Sequence, residues 1–338
     1  VTLAAIFGLA GPRLSPEEAA FFRDVQPWGF ILFSRNVESP DQVRALTSAL
    51  RSTVGRADAP ILIDQEGGRV QRLRPPDWPA YPTGETYRKL RGGGLAAPDF
   101  AWLGGRLIAA DLADLGINVD CAPVADVPVG GAHHVIGDRA FAHDAATVAS
   151  LARAMAEGLM AGGVLPIIKH IPGHGRAGAD SHKTLPVVKA PLADLEASDF
   201  AAFRDLADLP LAMTAHVVFS AVDPDQPATT SPTLIEHVIR KSIGFEGLLM
   251  SDDLSMEALS GDMRHRAKAS LAAGCDVVLH CNGSMDEMTK VAAATGGLEG
   301  RAAARAKAAL TAVPTILPPF DQAAGRARLD LALADLAA

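Results

Sequence analysis

The chain has 338 residues, 49% of them hydrophobic and 21% charged, with a formal net charge of −8. That composition can bury a large core and is not that of a disordered chain. The acidic balance argues against nucleic acid as a partner, because gripping phosphates needs a basic face. No apolar run approaches the roughly 20 residues of a membrane-spanning helix, so no membrane association is expected.

In chain order, eight short apolar segments recur: "LAAIFGL" from Leu3, "GFILF" from Gly29, "ILIDQE" from Ile61, "INVDCAP" from Ile117, "LPIIKH" from Leu165, "LAMTAH" from Leu211, "GLLMSD" from Gly247 and "DVVLHC" from Asp276. Each is apolar on both faces, as a parallel strand covered on two sides should be. The first lies in an apolar opening, "VTLAAIFGLA", with no basic segment before it, and reads as a strand rather than a signal peptide. The three cysteines, Cys121, Cys275 and Cys281, form no CxxC pair and no zinc spacing. An odd count is a poor disulfide framework, so a reducing, cytoplasmic setting is expected.

Helix-start signals fall between these segments. Ser15, Ser39 and Ser231 each precede a proline, which places Ser at the N-cap and Pro in the first turn. Glu18 and Gln42 complete expected capping boxes. Val148, Leu151, Met155 and Leu159 share one face of a helix that should stop at Gly162-Gly163. Eight alternating strand and helix units predict an α/β fold, a (β/α)8 TIM-type barrel in one domain over residues 1–338. A doubly wound open sheet is the rival. "RGGGLAAP" near Arg91 reads as a flexible surface loop. From about residue 290 an Ala-rich helical tail is expected, jointed at "VPTILPP".

Barrel enzymes place their working groups just past the C-terminal ends of strands. Five of the eight apolar segments stop at or near charged or imidazole side chains: Asp64; Asp120 and Asp126; Lys169 and His170; His216; Asp252 and Asp253. The densest run is "KHIPGHGRAGADSHKTLP", Lys169 to Pro186. Three chemistries compete for it. A metal site could draw on the histidines, but there is no HxH or HExxH, and "IPG" between His170 and His174 forbids the helix that would make their spacing useful. A phosphate cradle could use "GHGRAG", which lacks both P-loop and GxGxxG spacing. Acid–base and nucleophilic work on a sugar needs two groups flanking the scissile bond. Asp252 is placed to attack; no Glu on a neighbouring strand offers an obvious acid, which leaves His182.

That run resembles the KH(F/I)PGHG…DSH…LP signature of bacterial β-N-acetylglucosaminidases of glycoside hydrolase family 3. "GFILFSRNV", "ILIDQEGGRVQRL", "INVDCAPVADV", "IGDRAF" and "GLLMSDDLSMEAL" resemble that family's other motifs, in its order, from about residue 5 to about 285. The resemblance implies Asp252 as a nucleophile that forms a covalent glycosyl–enzyme, so that configuration is retained. Strand alternation lets only one of Asp252 and Asp253 face substrate, and Asp252 is preferred. The resemblance makes His182 the acid/base, paired with Asp180. An imidazole titrates at roughly 6.5, where donating and removing a proton are both feasible. The resemblance assigns sugar contacts to Asp64, Arg72, Arg139, Lys169 and His170; His216 and Met256 are expected to line the pocket.

Gly173, Gly175 and Gly178 are expected to free the backbone of an arm that carries His182, shaped by a structural hydrogen bond from His174. With 5% aromatic residues, a short exo-acting pocket is expected rather than a long cleft. No metal and no cofactor is expected, and the state is expected to be monomeric. The resemblance implies removal of terminal N-acetylglucosamine from GlcNAc-anhydroMurNAc peptides in peptidoglycan recycling. Three alternatives remain: a β-N-acetylglucosaminide phosphorylase, a metal-dependent barrel hydrolase using His170, His216 and Asp252, and a catalytically silent sugar-binding protein.

Overall fold

A computed structural model describes residues 1–314 and 316–337. Eight strands form the frame: β1 (Leu3–Gly8), β2 (Pro27–Leu32), β3 (Ile61–Ile63), β4 (Val119–Asp120), β5 (Leu165–Ile171), β6 (Leu211–Thr214), β7 (Leu248–Asp253) and β8 (Val277–His280). Each pairs in parallel with the next, and β8 pairs with β1, so the sheet closes into a barrel. Closure rejects the open doubly wound sheet and gives a (β/α)8 TIM-type fold. Every strand was visible as one of the eight apolar runs, because strands buried on both faces need apolar side chains on both.

Alternate residues divide the burial. Ile6, Leu62, Val119, Ile167, Leu211, Met250 and Val277 fill the barrel interior. Ala5, Phe7, Ile61, Ile63, Ile168, Ala212 and Leu249 point outward into a larger layer beneath the helices. The side-chain period of two produces this split. The interior is packed, so polar chemistry is confined to the rim.

The helices begin where their capping chemistry predicts. Ser15 caps Pro16–Val25 with a reciprocal box to Glu18. Ser39 caps Pro40–Val54 through the Gln42 N–H. The second half of that box does not form: the Gln42 carboxamide accepts from the Glu38 N–H and donates to the carbonyls of Asn36 and Pro12, so it ties down the preceding turn instead. The Ser231 hydroxyl accepts from the Leu234 N–H, ahead of a wide, π-type helix over Leu234–Ile243. Ala145–Ala161 ends at Gly162, with Val148, Leu151, Met155 and Leu159 all buried.

"RGGG" forms a tight reversal in which Gly92, Gly93 and Gly94 all have positive φ. The tail holds helices Gly300–Leu310 and Gln322–Ala337; Thr315, within the Pro-rich joint, lies outside the described residues. No helix among the described residues is long and apolar enough to cross a membrane.

Candidate active site at the C-terminal rim of the barrel

One cavity of about 540 Å³ opens where the strands end, bordered by Asp64, Arg72, Arg139, Lys169, His170, Asp180, His182, Asp252, Asp253 and Met256. Residues from β3, β5, β7 and the loops that follow them therefore converge, although they span nearly 200 positions of sequence. His216 does not border this cavity. It is fully buried, with Nδ1 against the Thr229 hydroxyl (2.7 Å) and Nε2 against the main-chain oxygen of Asp253 (3.0 Å). The expectation that His216 lines the pocket is corrected: a carbonyl can only accept, so Nε2–H donates and the ring props the end of β7 from behind.

Strand irregularities decide which side chains reach the cavity. The β7–β8 pairing moves from Met250↔Val277 to Asp253↔Leu279, three residues on one strand against two on the other. Such a bulge breaks strict alternation, so Asp252 and Asp253 both border the cavity, against the expectation that only one would. The β5–β6 pairing shifts likewise between Lys169 and Ile171, which brings the consecutive Lys169 and His170 to the same opening.

The two adjacent aspartates have different surroundings. Asp253 is committed: Oδ1 accepts the N–H of Ser255 (3.0 Å) and of Cys281 (3.1 Å), and Oδ2 accepts the Ser255 hydroxyl. Asp252 accepts one hydrogen bond, from the Asp253 N–H at 2.8 Å. Burial pushes its carboxyl up, but the charges of His216 and His170, the Asp253 N–H and the charge of His182 outweigh it, so it stays below the ordinary carboxylate range. Asp252 is thus ionised at neutral pH with lone pairs to spare.

Across the cavity an ion-pair box is built from β3 and β5. Lys169 Nζ lies 2.9 Å from Asp64 Oδ1 and 2.6 Å from Glu66 Oε1. Arg139 grips Glu66 bidentately at 2.8 and 2.7 Å, and Arg72 reaches Asp64 Oδ2 at 2.9 Å. Burial alone would raise both carboxyls. Lys169 and Arg72 overcome it at Asp64, which lies far below its usual value, and Arg139 and Lys169 hold Glu66 at about 2. Burial in turn lowers Lys169, and the two carboxylates more than restore it. The result is a rigid set of alternating donors and acceptors, suited to adjacent sugar hydroxyls.

Glu66 carried no assigned role in the sequence reading. It stands two residues after Asp64, the spacing that returns a strand side chain to the same face, and that signal would have found it. The sequence marks Asp126 only as a strand-end residue. Its Oδ2 lies 2.7 Å from His170 Nδ1, and Oδ1 accepts the main-chain N–H of His170 (3.1 Å) and of His174 (2.6 Å). This fixes Nδ1–H toward Asp126 and leaves His170 Nε2 as the ring atom available to a ligand.

After β5 the chain runs out as a long loop to Pro186, where Val187–Val188 joins a small sheet with Val218–Phe219 and Asp223–Pro227. His182 is largely exposed, 66% for its side chain, and its Nδ1 lies 3.0 Å from Asp180 Oδ1, which also accepts the His182 N–H at 3.0 Å. Burial pushes the Asp180 carboxyl up, but the hydrogen bonds from the His182 N–H and ring, with the charge of that ring, outweigh it, for a net downward shift. His174 Nε2 meets the Ser181 hydroxyl at 3.0 Å, between the two members of the dyad. Gly175 is required by close approach, since a Cβ there would sit 2.1 Å from the Val127 oxygen. Gly178 has open space and an unexceptional φ, so it needs no special conformation.

Among the described residues, no group of three or more His, Cys, Asp and Glu side chains is arranged to hold a metal ion. Both nitrogens of His216 are already engaged, so the set His170, His216 and Asp252 does not converge on one ion.

The glycosyl hydrolase family 3 N-terminal domain matches residues 5–313. The chain belongs to glycosyl hydrolase family 3. It is 40% identical over 283 residues to a β-hexosaminidase of Methylococcus capsulatus, covering 82% of each chain. A β-hexosaminidase of Bordetella parapertussis is 42% identical over 279 residues, 81% of this chain and 78% of the other. The crystal structure of NagZ from Neisseria gonorrhoeae in complex with N-trifluoroacetyl-D-glucosamine superposes with a TM-score of 0.84 at 32% identity, covering 99% of this chain and 97% of that one. A β-N-acetylhexosaminidase from Beutenbergia cavernae superposes at 0.75 with 28% identity, covering 99% and 96%. The family resemblance read from the motifs is therefore borne out, and the protein is a glycoside hydrolase. In this family 3 hydrolase the ionised Asp252, the ion-pair box and the Asp180–His182 pair share one cavity.

Proposed function

We propose that the protein is a retaining exo-β-N-acetylglucosaminidase that removes terminal N-acetylglucosamine from GlcNAc-anhydroMurNAc peptides. The observation that carries the reading is the pairing, in one cavity, of an ionised carboxylate with free lone pairs, Asp252, and an imidazole oriented by a carboxylate, His182. The β-hexosaminidase relatives and the N-trifluoroacetyl-D-glucosamine complex of the gonococcal neighbour support the choice of sugar.

In the first step Asp252 attacks the anomeric carbon and forms a glycosyl ester. His182 donates its ring proton to the departing glycosidic oxygen. In the second step neutral His182 takes a proton from a water molecule, whose oxygen displaces the Asp252 carboxylate. Two inversions give net retention. Asp180 holds His182 through Nδ1, which directs Nε2 to the substrate and favours the imidazolium formed in the second step. Asp64, Arg72, Arg139, Lys169 and His170 bind the sugar; Glu66 and Asp126 hold those groups in place, and Met256 supplies an apolar wall.

The test is incubation with GlcNAc-anhydroMurNAc peptide, with and without phosphate, followed by NMR of the first-formed product. The proposal predicts free β-N-acetylglucosamine in both reactions. An α-configured first product, or a sugar 1-phosphate when phosphate is present, contradicts it.

A further inference from the structure

The C-terminal helix, Gln322–Ala337, lies beyond the segment matched by the family and buries only Leu329 and Ala332. Leu333 packs partly buried against the same core, and polar contacts add to this small apolar seat. Arg326 supplies several. Its guanidinium stacks 4.4 Å from the centre of the Tyr81 ring and donates to the Tyr81 hydroxyl at 2.6 Å. Tyr81 in turn donates to Asp111 Oδ2 at 2.5 Å, and Gln322 donates to Asp111 Oδ1 at 2.8 Å. Tyr81 is buried, with 3% exposure.

Tyr81 belongs to "RPPDWPAYPT", residues 74–83, which carries four prolines, Pro75, Pro76, Pro79 and Pro82, and forms no helix or strand. Four missing N–H donors leave this segment poor in main-chain bonds of its own. Its backbone nevertheless supports the sugar-binding hairpin formed by Gln65–Gly67 and Val70–Gln71. The Tyr81 N–H donates to Gln71 Oε1 at 2.9 Å, and the Tyr81 oxygen accepts from the Gly68 N–H at 2.9 Å. Gly67 packs so close that a Cβ there would lie 2.2 Å from the Pro82 oxygen. Gln71 Nε2 then bonds the Leu73 and Pro79 oxygens, while Gln65 Oε1 accepts the N–H of Arg72 and of Leu73. Arg72 is thus fixed on both sides of its main chain, and its guanidinium meets Asp64.

We propose that Arg326 is a positioning residue for Arg72: clamped on Tyr81, it holds the proline-rich segment against the hairpin and so sets the height of the Arg72 guanidinium at the cavity. The inference rests on the assignment of Arg72 to sugar binding. The tail acts on substrate affinity without touching substrate.

The test uses the full chain and an aryl β-N-acetylglucosaminide, with kcat and KM measured well below each variant's Tm. Loss of a contact made equally in ground and transition states raises KM and spares kcat, so Arg326→Met should raise KM about 5–10-fold with kcat within about twofold. Tyr81→Phe, which keeps the ring and loses only the hydroxyl, should raise KM about two- to fourfold by the same reasoning. Arg326→Lys should recover part of the loss. Coupled residues are non-additive, so in an Arg72→Met background Arg326→Met should raise KM no further. A lowered Tm with unchanged KM in both Arg326→Met and Tyr81→Phe overturns the proposal and makes the helix a stabiliser alone. An equal KM factor in both backgrounds also overturns it. Arg72→Met with wild-type KM removes Arg72 from sugar binding, a failure of the parent assignment that is distinct from failure of the clamp.

Discussion

The main-chain N–H of Asp253 folds back onto Oδ1 of Asp252 at 2.8 Å, while the Asp253 carboxylate is occupied by Ser255 and Cys281. The bulge that puts both residues at the cavity therefore separates their surroundings: Asp252 keeps free lone pairs, as the proposed nucleophile requires, and the Asp253 carboxylate ties down the following turn. Asp252→Ala should lower kcat/KM for an aryl β-N-acetylglucosaminide by about 10⁴-fold or more, whereas Asp253→Asn, which keeps an acceptor, should cost about tenfold. Steady-state kinetics on both variants check this, and the reverse order of losses would transfer the nucleophile to Asp253.

The proposed role of His182 as the acid makes its effect depend on how much the leaving group needs a proton. For His182→Ala the loss should be small with a dinitrophenyl glycoside and about 10²–10⁴-fold with an alkyl or sugar leaving group. A series of aryl glycosides of graded leaving-group pKa measures the slope. A uniform loss across the series would mean that His182 is not the acid.

Glu66 holds Lys169 and Arg139 at once, with 7% of its side chain exposed. Removing one partner of a buried pair strands the other charges, so Glu66→Ala should cost about 3–5 kcal/mol of stability. Urea denaturation checks this. KM should rise as well, because Lys169 and Arg139 lose their anchor; a variant with native stability and native KM would remove Glu66 from the site's framework.

Acid should loosen the same box and, with it, the bonds of Asp126 to His170 and His174. Burial opposes ionisation of Glu66 and Asp126, but Arg139 and Lys169 hold Glu66 at about 2, and His170 and His174 hold Asp126 at about 2, against ordinary values of 4.5 and 3.8. Between those limits the unfolded chain binds more protons than the folded one, so stability rises with pH there. The contribution is complete above about pH 4.5 and is lost as pH falls toward 2. Tm measured at pH 5, 3.5 and 2.5 should fall more steeply for wild type than for Glu66→Gln; parallel curves would contradict the assignment.

Asp120 has the opposite sign. It is fully buried, accepts the Gln65 N–H at 2.9 Å through Oδ1, and has no partner for Oδ2. Burial pushes its carboxyl up to about 8, against the Gln65 N–H and Lys169, which lower it. The folded state then keeps a proton that the unfolded state releases near 3.8, so this group's contribution is present below about pH 4 and lost as pH rises through 8. Asp120→Asn keeps the acceptor for Gln65 and removes the titration. Its stability relative to wild type should therefore increase from pH 4 to pH 9, as read by urea midpoints; a gap that does not change with pH would contradict a neutral Asp120.

Much of this was legible in the sequence for a physical reason. Strands covered on both faces must be apolar throughout, so β1 to β8 appear as eight apolar runs. Charges cannot enter the packed barrel, so Asp64, Lys169 and Asp252 mark strand ends. Departures from regular pairing were not legible. The bulges that bring Lys169 with His170, and Asp252 with Asp253, to one cavity depend on register between strands distant in sequence. His216 ends its apolar run like the others, but Thr229 and the Asp253 carbonyl draw it beneath the surface. Gln42 had the spacing of a capping box, and the turn at Asn36 and Glu38 captured its side chain instead. Glu66 contacts Lys169 and Arg139, and Asp126 contacts His170, and those partners become visible only once the strands are assembled.

The most direct test of the central claim is a 5-fluoro-β-N-acetylglucosaminyl fluoride, in which the ring fluorine slows formation and hydrolysis of the glycosyl–enzyme while the fluoride leaving group speeds formation, so the covalent intermediate accumulates. Peptic digestion and mass spectrometry locate the attached sugar. The account predicts a single adduct on the peptide containing Ser251–Asp253, with fragmentation placing the sugar on Asp252. An adduct on Asp253 or Asp64, or rapid turnover with no adduct formed, would contradict it.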